Sequence, residues 1–91
     1  MADRSTSTPL YGIAVVSGLL DLPEATLRLF ESKGLITPSR TRGGTRRYSD
    51  DDLDRLRRIS DLRDEGVNIA GIRRVLDLED QNRELRDDLR D

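Results

Sequence analysis

The stretch Ala25-Thr26-Leu27-Arg28-Leu29-Phe30-Glu31-Ser32-Lys33-Gly34-Leu35-Ile36-Thr37-Pro38, continued by Ser39-Arg40-Thr41-Arg42-Gly43-Gly44-Thr45-Arg46-Arg47-Tyr48, decides how this chain is read. It predicts a short helix stopped by Gly34, then two brief extended pieces that turn at Gly43-Gly44. Leu27 and Phe30 fall on one helical face, while Thr26 and Arg28 point elsewhere. Gly34 suits the left-handed residue that commonly ends a helix. Residues 35–37 and 46–48 are expected as strands, with Pro38 keeping the first one short and the glycine pair permitting the positive φ of a tight turn. A helix followed by an arginine-edged hairpin is what a reader of duplex DNA needs: the helix for the major groove, the hairpin for the adjacent backbone.

Charge supports this when resolved by region. The 91 residues carry a net charge of −2, which by itself argues against a nucleic-acid partner. Residues 23–48 nevertheless hold six cations against only Glu24 and Glu31, whereas residues 49–91 hold nine arginines against fourteen acids. A basic block between acidic flanks is an electrostatic footprint that the whole-chain value conceals. No acid lies between Ser32 and Ser49, so the arginines at 40, 42, 46 and 47 are expected to be unbalanced and available to phosphate, which the planar guanidinium fork suits.

Working outward, residues 11–20 are apolar enough for a buried first helix, with Ile13, Val16 and Leu20 at helical spacing. Asp21-Leu22 makes a turn, and Pro23 starts the second helix, expected over residues 23–33. Ser49 caps a third helix whose first turn is loaded with Asp50, Asp51 and Asp52, and Ser49 with Asp52 forms an approximate capping box. Leu53, Leu56, Ile59 and Leu62 are its apolar stripe and Gly66 ends it. Asn68 caps a fourth helix carrying Ile69, Ile72, Val75 and Leu76, with no breaker before Asp91. Val75, Leu78, Asn82, Leu85 and Leu89 are spaced 3, 4, 3 and 4, a heptad seam in which a polar residue at an a position can fix register. The seam is expected to form a homodimer, the plainer alternative being a single amphipathic helix that folds back on its own domain. The fold class is therefore mainly α with a short β-hairpin: a winged helix-turn-helix followed by a C-terminal dimerisation helix. Residues 1–10 form an N-terminal arm without fixed structure, residues 11–74 the winged-helix domain and residues 75–91 the dimer helix.

The absence of Cys and His removes disulfides, the usual zinc sites, and thiol or imidazole catalysis. No metal, cofactor or small-molecule ligand is expected, and acids and arginines alone form no recognisable catalytic site. No apolar run approaches membrane-spanning length. A cytosolic location fits, and no membrane partner is expected. The expected partner is double-stranded promoter DNA. Its contacts are assigned to Thr26, Arg28 and Lys33 of the reading helix and to Arg40, Arg42, Gly43, Gly44, Arg46, Arg47 and Tyr48 of the hairpin. Each has a plainer alternative. Arg28 could simply pair with Glu24 one turn earlier, the arginine cluster could be a solvated charge run, and Tyr48 could pack its ring on the third helix instead of offering its hydroxyl to phosphate.

The order of these residues resembles the DNA-binding domain of the MerR family of bacterial transcription regulators, and most closely its small heat-shock-repressor type. The resemblance is carried over residues 11–78 by Thr26-Leu27-Arg28, Lys33-Gly34-Leu35, Pro38-Ser39-Arg40-Thr41, Gly44, Arg46-Arg47-Tyr48-Ser49 and Glu65-Gly66-Val67-Asn68-Ile69-Ala70-Gly71-Ile72. It implies a dimeric regulator, a repressor in the subgroup it most resembles, with a chaperone as possible co-regulator. Two departures stand out: Leu29 and Phe30 lack the hydroxyls usual in the family after Thr-Leu-Arg, and Asp21 occupies a turn position often held by Gly. The larger members carry an effector domain after the dimer helix, and their ligand and metal sensing is not expected of these 91 residues. Two other readings share the body: a protein-binding chaperone modulator, and an excisionase-like architectural DNA binder that needs no stable dimer.

Overall fold

The computed structural model describes residues 5–90, which form α1 (Ile13–Leu20), α2 (Glu24–Ser32), β1 (Ser39–Arg40), β2 (Arg46–Arg47), α3 (Asp50–Asp64) and α4 (Ile69–Arg90). The first three helices end in the same way. After each, one residue turns into the left-handed region: Asp21 at φ 55°, Gly34 at 75° and Gly66 at 89°. The next N–H then reaches back to a carbonyl five residues earlier, from Leu22 to Ser17 at 3.1 Å, Leu35 to Phe30 at 3.0 Å and Val67 to Leu62 at 3.0 Å. This is the Schellman arrangement, which satisfies carbonyls that the helix leaves without partners. Gly34 and Gly66 act as expected; Asp21 performs the same turn with a side chain, at some steric cost.

The start of α3 is equally local in origin. Ser49 Oγ accepts from the Asp52 N–H at 3.0 Å, and the Asp52 carboxylate accepts from the Ser49 N–H at 2.9 Å, so the capping box is complete. At α4, Asn68 Oδ1 accepts from the Gly71 N–H at 2.8 Å.

The hairpin departs from expectation in register. Leu35 and Ile36 are consecutive and both buried, whereas a half-buried strand alternates its faces. Pro38, also buried, has no N–H to give a ladder. Pairing therefore begins only at Ser39, opposite Arg47, with Arg40 opposite Arg46. Of the glycine pair only Gly44 takes a positive φ, at 87°. The third strand-like partner is Tyr11, expected inside α1. Its N–H donates to the Tyr48 carbonyl at 2.9 Å and its carbonyl accepts from the Tyr48 N–H at 2.7 Å, so α1 starts two residues later than expected. The expectation of an arm without fixed structure over residues 1–10 also changes: the Thr6 carbonyl accepts from the Asp51 N–H and the Leu10 N–H donates to Tyr48, while residues 1–4 lie outside the described residues.

One core joins these pieces: Val16 from α1, Leu27 and Phe30 from α2, Leu35, Ile36 and Tyr48 from the hairpin region, Leu53, Leu56, Ile59 and Leu62 from α3, and Ile72 and Leu76 from α4. The α3–α4 pair is further tied by Arg58 to Glu79 at 2.9 Å and Arg55 to Asp80 at 3.2 Å. Helix α4 runs unbroken through the expected domain boundary at 74/75. Val75 of the heptad series packs on the core, while Leu78, Leu85 and Leu89 are 49, 62 and 85 % exposed and Asn82 is exposed beside them. No helix among the described residues is long and apolar enough to cross a membrane.

Because the Ser49 box satisfies two N–H groups at the junction of hairpin and α3, Ser49→Ala should lower the unfolding free energy by about 1 kcal/mol. Urea denaturation measures this; a midpoint equal to wild type would show that the Asp52 N–H finds another partner.

Candidate nucleic-acid interface

Helix α2 buries Leu27 and Phe30 and leaves Arg28 exposed with Thr26 half-buried. Arg28 does pair with Glu24, at 3.2 Å, with about half of the Arg28 side chain exposed. An exposed pair of this kind contributes little and exchanges readily for another acceptor. Phe30 is sealed under the Arg63 guanidinium, which lies 5.8 Å from the ring centre, so of the two positions lacking a hydroxyl only Leu29 faces outward. Lys33 is exposed at the end of α2, and its carbonyl accepts a hydrogen bond from Arg73 of α4.

The hairpin tip is closed by the Thr41 N–H donating to the Thr45 carbonyl at 2.8 Å and the Gly44 N–H to the Thr41 carbonyl at 2.9 Å. Gly43, Gly44 and Arg42 are all exposed there. Arg42 has no carboxylate within ion-pair distance among the described residues, and neither has Arg47. Arg47 is half-buried, its Nη1 lying so close over Gly12 that a Cβ at that position would approach within 3.0 Å.

Arg40 and Arg46 are different, and here the expectation of an unbalanced cluster fails. Glu31, in the last turn of α2, accepts from Arg46 Nε at 2.5 Å and from Arg40 Nη2 at 2.8 Å. Arg40 also donates through Nη1 to the Gly44 carbonyl at 3.0 Å. The Arg46 guanidinium above all, and that of Arg40 after it, hold the Glu31 carboxyl below the usual carboxylate range against the opposing effect of partial burial. Counting acids within the hairpin segment missed Glu31 because it stands just before that segment and reaches it only through the fold. One signal was available: an acid in the last turn of a helix opposes the helix dipole, so it needs cations nearby.

Tyr48 requires a second correction. Its ring is fully buried, and its hydroxyl is enclosed with no hydrogen-bond partner among the described residues. Burial, the dominant effect, pushes its pKa up. A hydroxyl sealed in this way does not reach a phosphate, so packing is the role that the structure supports.

The Glu31 joint thus links α2, which carries Arg28 and is followed by Lys33, to the hairpin, which carries Arg42 and the half-covered Arg47. Among the described residues there is no cluster of acids placed to hold a metal ion. The family model described as "MerR HTH family regulatory protein" matches residues 11–79.

The chain belongs to the MerR family.

Its relatives in that family include a Streptomyces coelicolor protein named as the heat shock protein HspR, 46 % identical over 84 residues, 91 % of this chain and 56 % of that one. The transcriptional regulator GlnR of Bacillus cereus is 41 % identical over 76 residues, 84 % of this chain and 59 % of that one. Among solved structures, the MerR regulator HiNmlR, which lacks the sensor domain and is bound to promoter DNA, superposes with a TM-score of 0.72 at 27 % identity, covering 76 % of this chain and 53 % of that one. The lead(II) complex of PbrR691 from Ralstonia metallidurans CH34 gives 0.75 at 31 % identity, covering 80 % and 58 %. This MerR chain thus spans somewhat more than half the length of the relatives it matches.

Since the Tyr48 hydroxyl has no partner to lose among the described residues, Tyr48→Phe should change stability by less than about 1 kcal/mol, or raise it. It should also leave DNA affinity at the wild-type value. Urea denaturation and a fluorescence-anisotropy titration with duplex DNA measure the two; a clear loss of affinity at unchanged stability would restore Tyr48 as a phosphate contact.

Proposed function

We propose that this MerR-family chain is a transcription regulator that binds promoter DNA sequence-specifically as a homodimer, acting as a repressor and performing no catalysis. Helix α2 enters the major groove with Thr26 and Arg28 toward the base edges, and the hairpin lies on the flanking backbone. The observation that carries the reading is Arg42, exposed at the hairpin tip with no carboxylate within ion-pair distance among the described residues, on a hairpin that Glu31 ties to α2. A family member bound to promoter DNA shares the fold. The rival reading, a chaperone modulator that kept the body and lost DNA, offers no physical reason for a bare cation at the tip. The protein would act in the bacterial cytoplasm on nucleoid DNA. Its control would come from abundance or from a protein co-regulator such as a chaperone, the latter suggested by the resemblance to heat-shock repressors.

Arg42, rather than Arg46, is the clean probe of the wing, because Arg46 is engaged by Glu31. Each phosphate contact releases condensed counterions, at about 0.9 unit of log–log salt slope per contact. A dimer uses two wings, so Arg42→Ala should lower the slope by nearly two units and weaken operator and random duplexes by similar factors. Equal slopes for mutant and wild type would take the tip off the backbone and bring the protein-binding reading forward.

The dimer is supported by the exposed Leu78, Leu85 and Leu89 at heptad spacing around Asn82. Sedimentation equilibrium at micromolar concentration should give twice the chain mass. Leu85→Asp, at an exposed position outside the core, should give a folded monomer. A wild-type monomer would instead support the architectural-binder alternative.

A further inference from the structure

Arg40 and Arg46 stand directly opposite each other across the hairpin. Like charges in that position repel and weaken a two-stranded ladder. Glu31 stands in the last turn of α2, where an acid meets the negative end of the helix dipole. Each arrangement is unfavourable alone, and one contact resolves both: the Glu31 carboxylate accepts from Arg46 at 2.5 Å through one oxygen and from Arg40 at 2.8 Å through the other. Two oxygens of one planar group, held by guanidinium groups from both strands, define an orientation and not merely a proximity. The lowered titration range of Glu31 agrees with this, since the Arg46 guanidinium above all, and Arg40 with it, favours the ionised form.

We propose that Glu31 is a specificity-setting positioning residue, which fixes the hairpin on the reading helix and withholds two of its arginines from indiscriminate phosphate binding. This rests on the DNA-binding reading above. The joint sets the offset between the outward face of α2, where Thr26 and Arg28 stand, and the Arg42 tip. Phosphate contacts position a protein on duplex and base contacts specify the sequence, so discrimination depends on holding the two at a fixed offset. With Glu31 in place, Arg42 meets the backbone while α2 is in register, and Arg40 and Arg46 are occupied internally. Without its charge, the hairpin swings and two further guanidinium groups become available to any phosphate. Glu31 itself touches no DNA in this scheme. Its effect passes entirely through the arginines.

The test uses Glu31→Gln, which keeps the shape of the side chain and removes the charge, and Glu31→Asp, which keeps the charge on a shorter stem. The specific probe is the duplex that the wild-type protein enriches from a randomised library, and the non-specific probe is a scrambled duplex of the same length. Glu31→Gln should bind the enriched duplex weaker by roughly tenfold or more per half-site, comparable with a mismatched base pair. The scrambled duplex should be bound as tightly as by wild type or more tightly. Its log–log salt slope should be steeper by about 0.9 unit for each newly engaged phosphate. Glu31→Asp should recover part of the lost discrimination. Equal gains on both duplexes would reduce Glu31 to a neutralising charge and overturn the positioning role. Equal losses on both, with a lowered melting temperature, would make it a fold contact and overturn the proposal as well. Failure of the DNA-binding reading looks different: the wild-type protein would enrich no sequence and show no salt-dependent binding to either duplex.

Discussion

The N–H and the carbonyl of Tyr48 both hydrogen-bond to Tyr11 while its ring is sealed in the core, and the next residue is the cap of α3. Three otherwise independent pieces meet at that point: the lead-in to α1, the return arm of the hairpin and the start of the third helix. A chain this size buries only a modest fraction of its surface, so each element needs an anchor shared with another. The hairpin illustrates this well. A two-residue ladder is marginal in water, and here it persists because its base is continuous with the buried Tyr48 and its flank is gripped by α2 through Glu31.

What could be read in advance was whatever depends on near neighbours. The apolar stripe of α3, the Ser49–Asp52 box, the glycine stops at 34 and 66 and the Asn68 cap all arise from residues within one or two turns of each other, and each was found where spacing placed it. The errors have a common cause in contacts between distant residues. Tyr11 looks helical by composition, but it is drawn into an extended bridge by a partner 37 positions away. Leu35 and Ile36 look like strand residues, but the core takes both of their side chains at once. Glu31 looks like a surface acid until the hairpin folds over it. Tyr48 could offer its hydroxyl to phosphate or pack its ring, and burial of the ring decides for packing.

The candidate interface is accordingly less basic than its sequence but more ordered. Of the four hairpin arginines, Arg40 and Arg46 stabilise the protein's own geometry, Arg47 lies back over Gly12, and Arg42 alone stands clear at the tip. A fixed surface with few unpaired cations discriminates between partners better than a mobile one with many, because affinity that ignores sequence is kept small. The same economy fits the net negative charge of the chain, which disfavours loose association with polyanions away from the hairpin face.

Helix α4 holds a further consequence. It is one continuous rod of 22 residues, about 33 Å long at 1.5 Å per residue. Its first turns are fastened to the core through Ile72 and Leu76, and Arg73 grips the final carbonyl region of α2 at Lys33. Its outer half carries the uncovered leucines. Such a rod can act as a mechanical lever: a tilt imposed at the far end is carried to the core at Ile72 and Leu76, and to the tail of α2 through the Arg73 side chain. Whatever seats against Leu85 and Leu89 would therefore also set the angle at which α2 is presented.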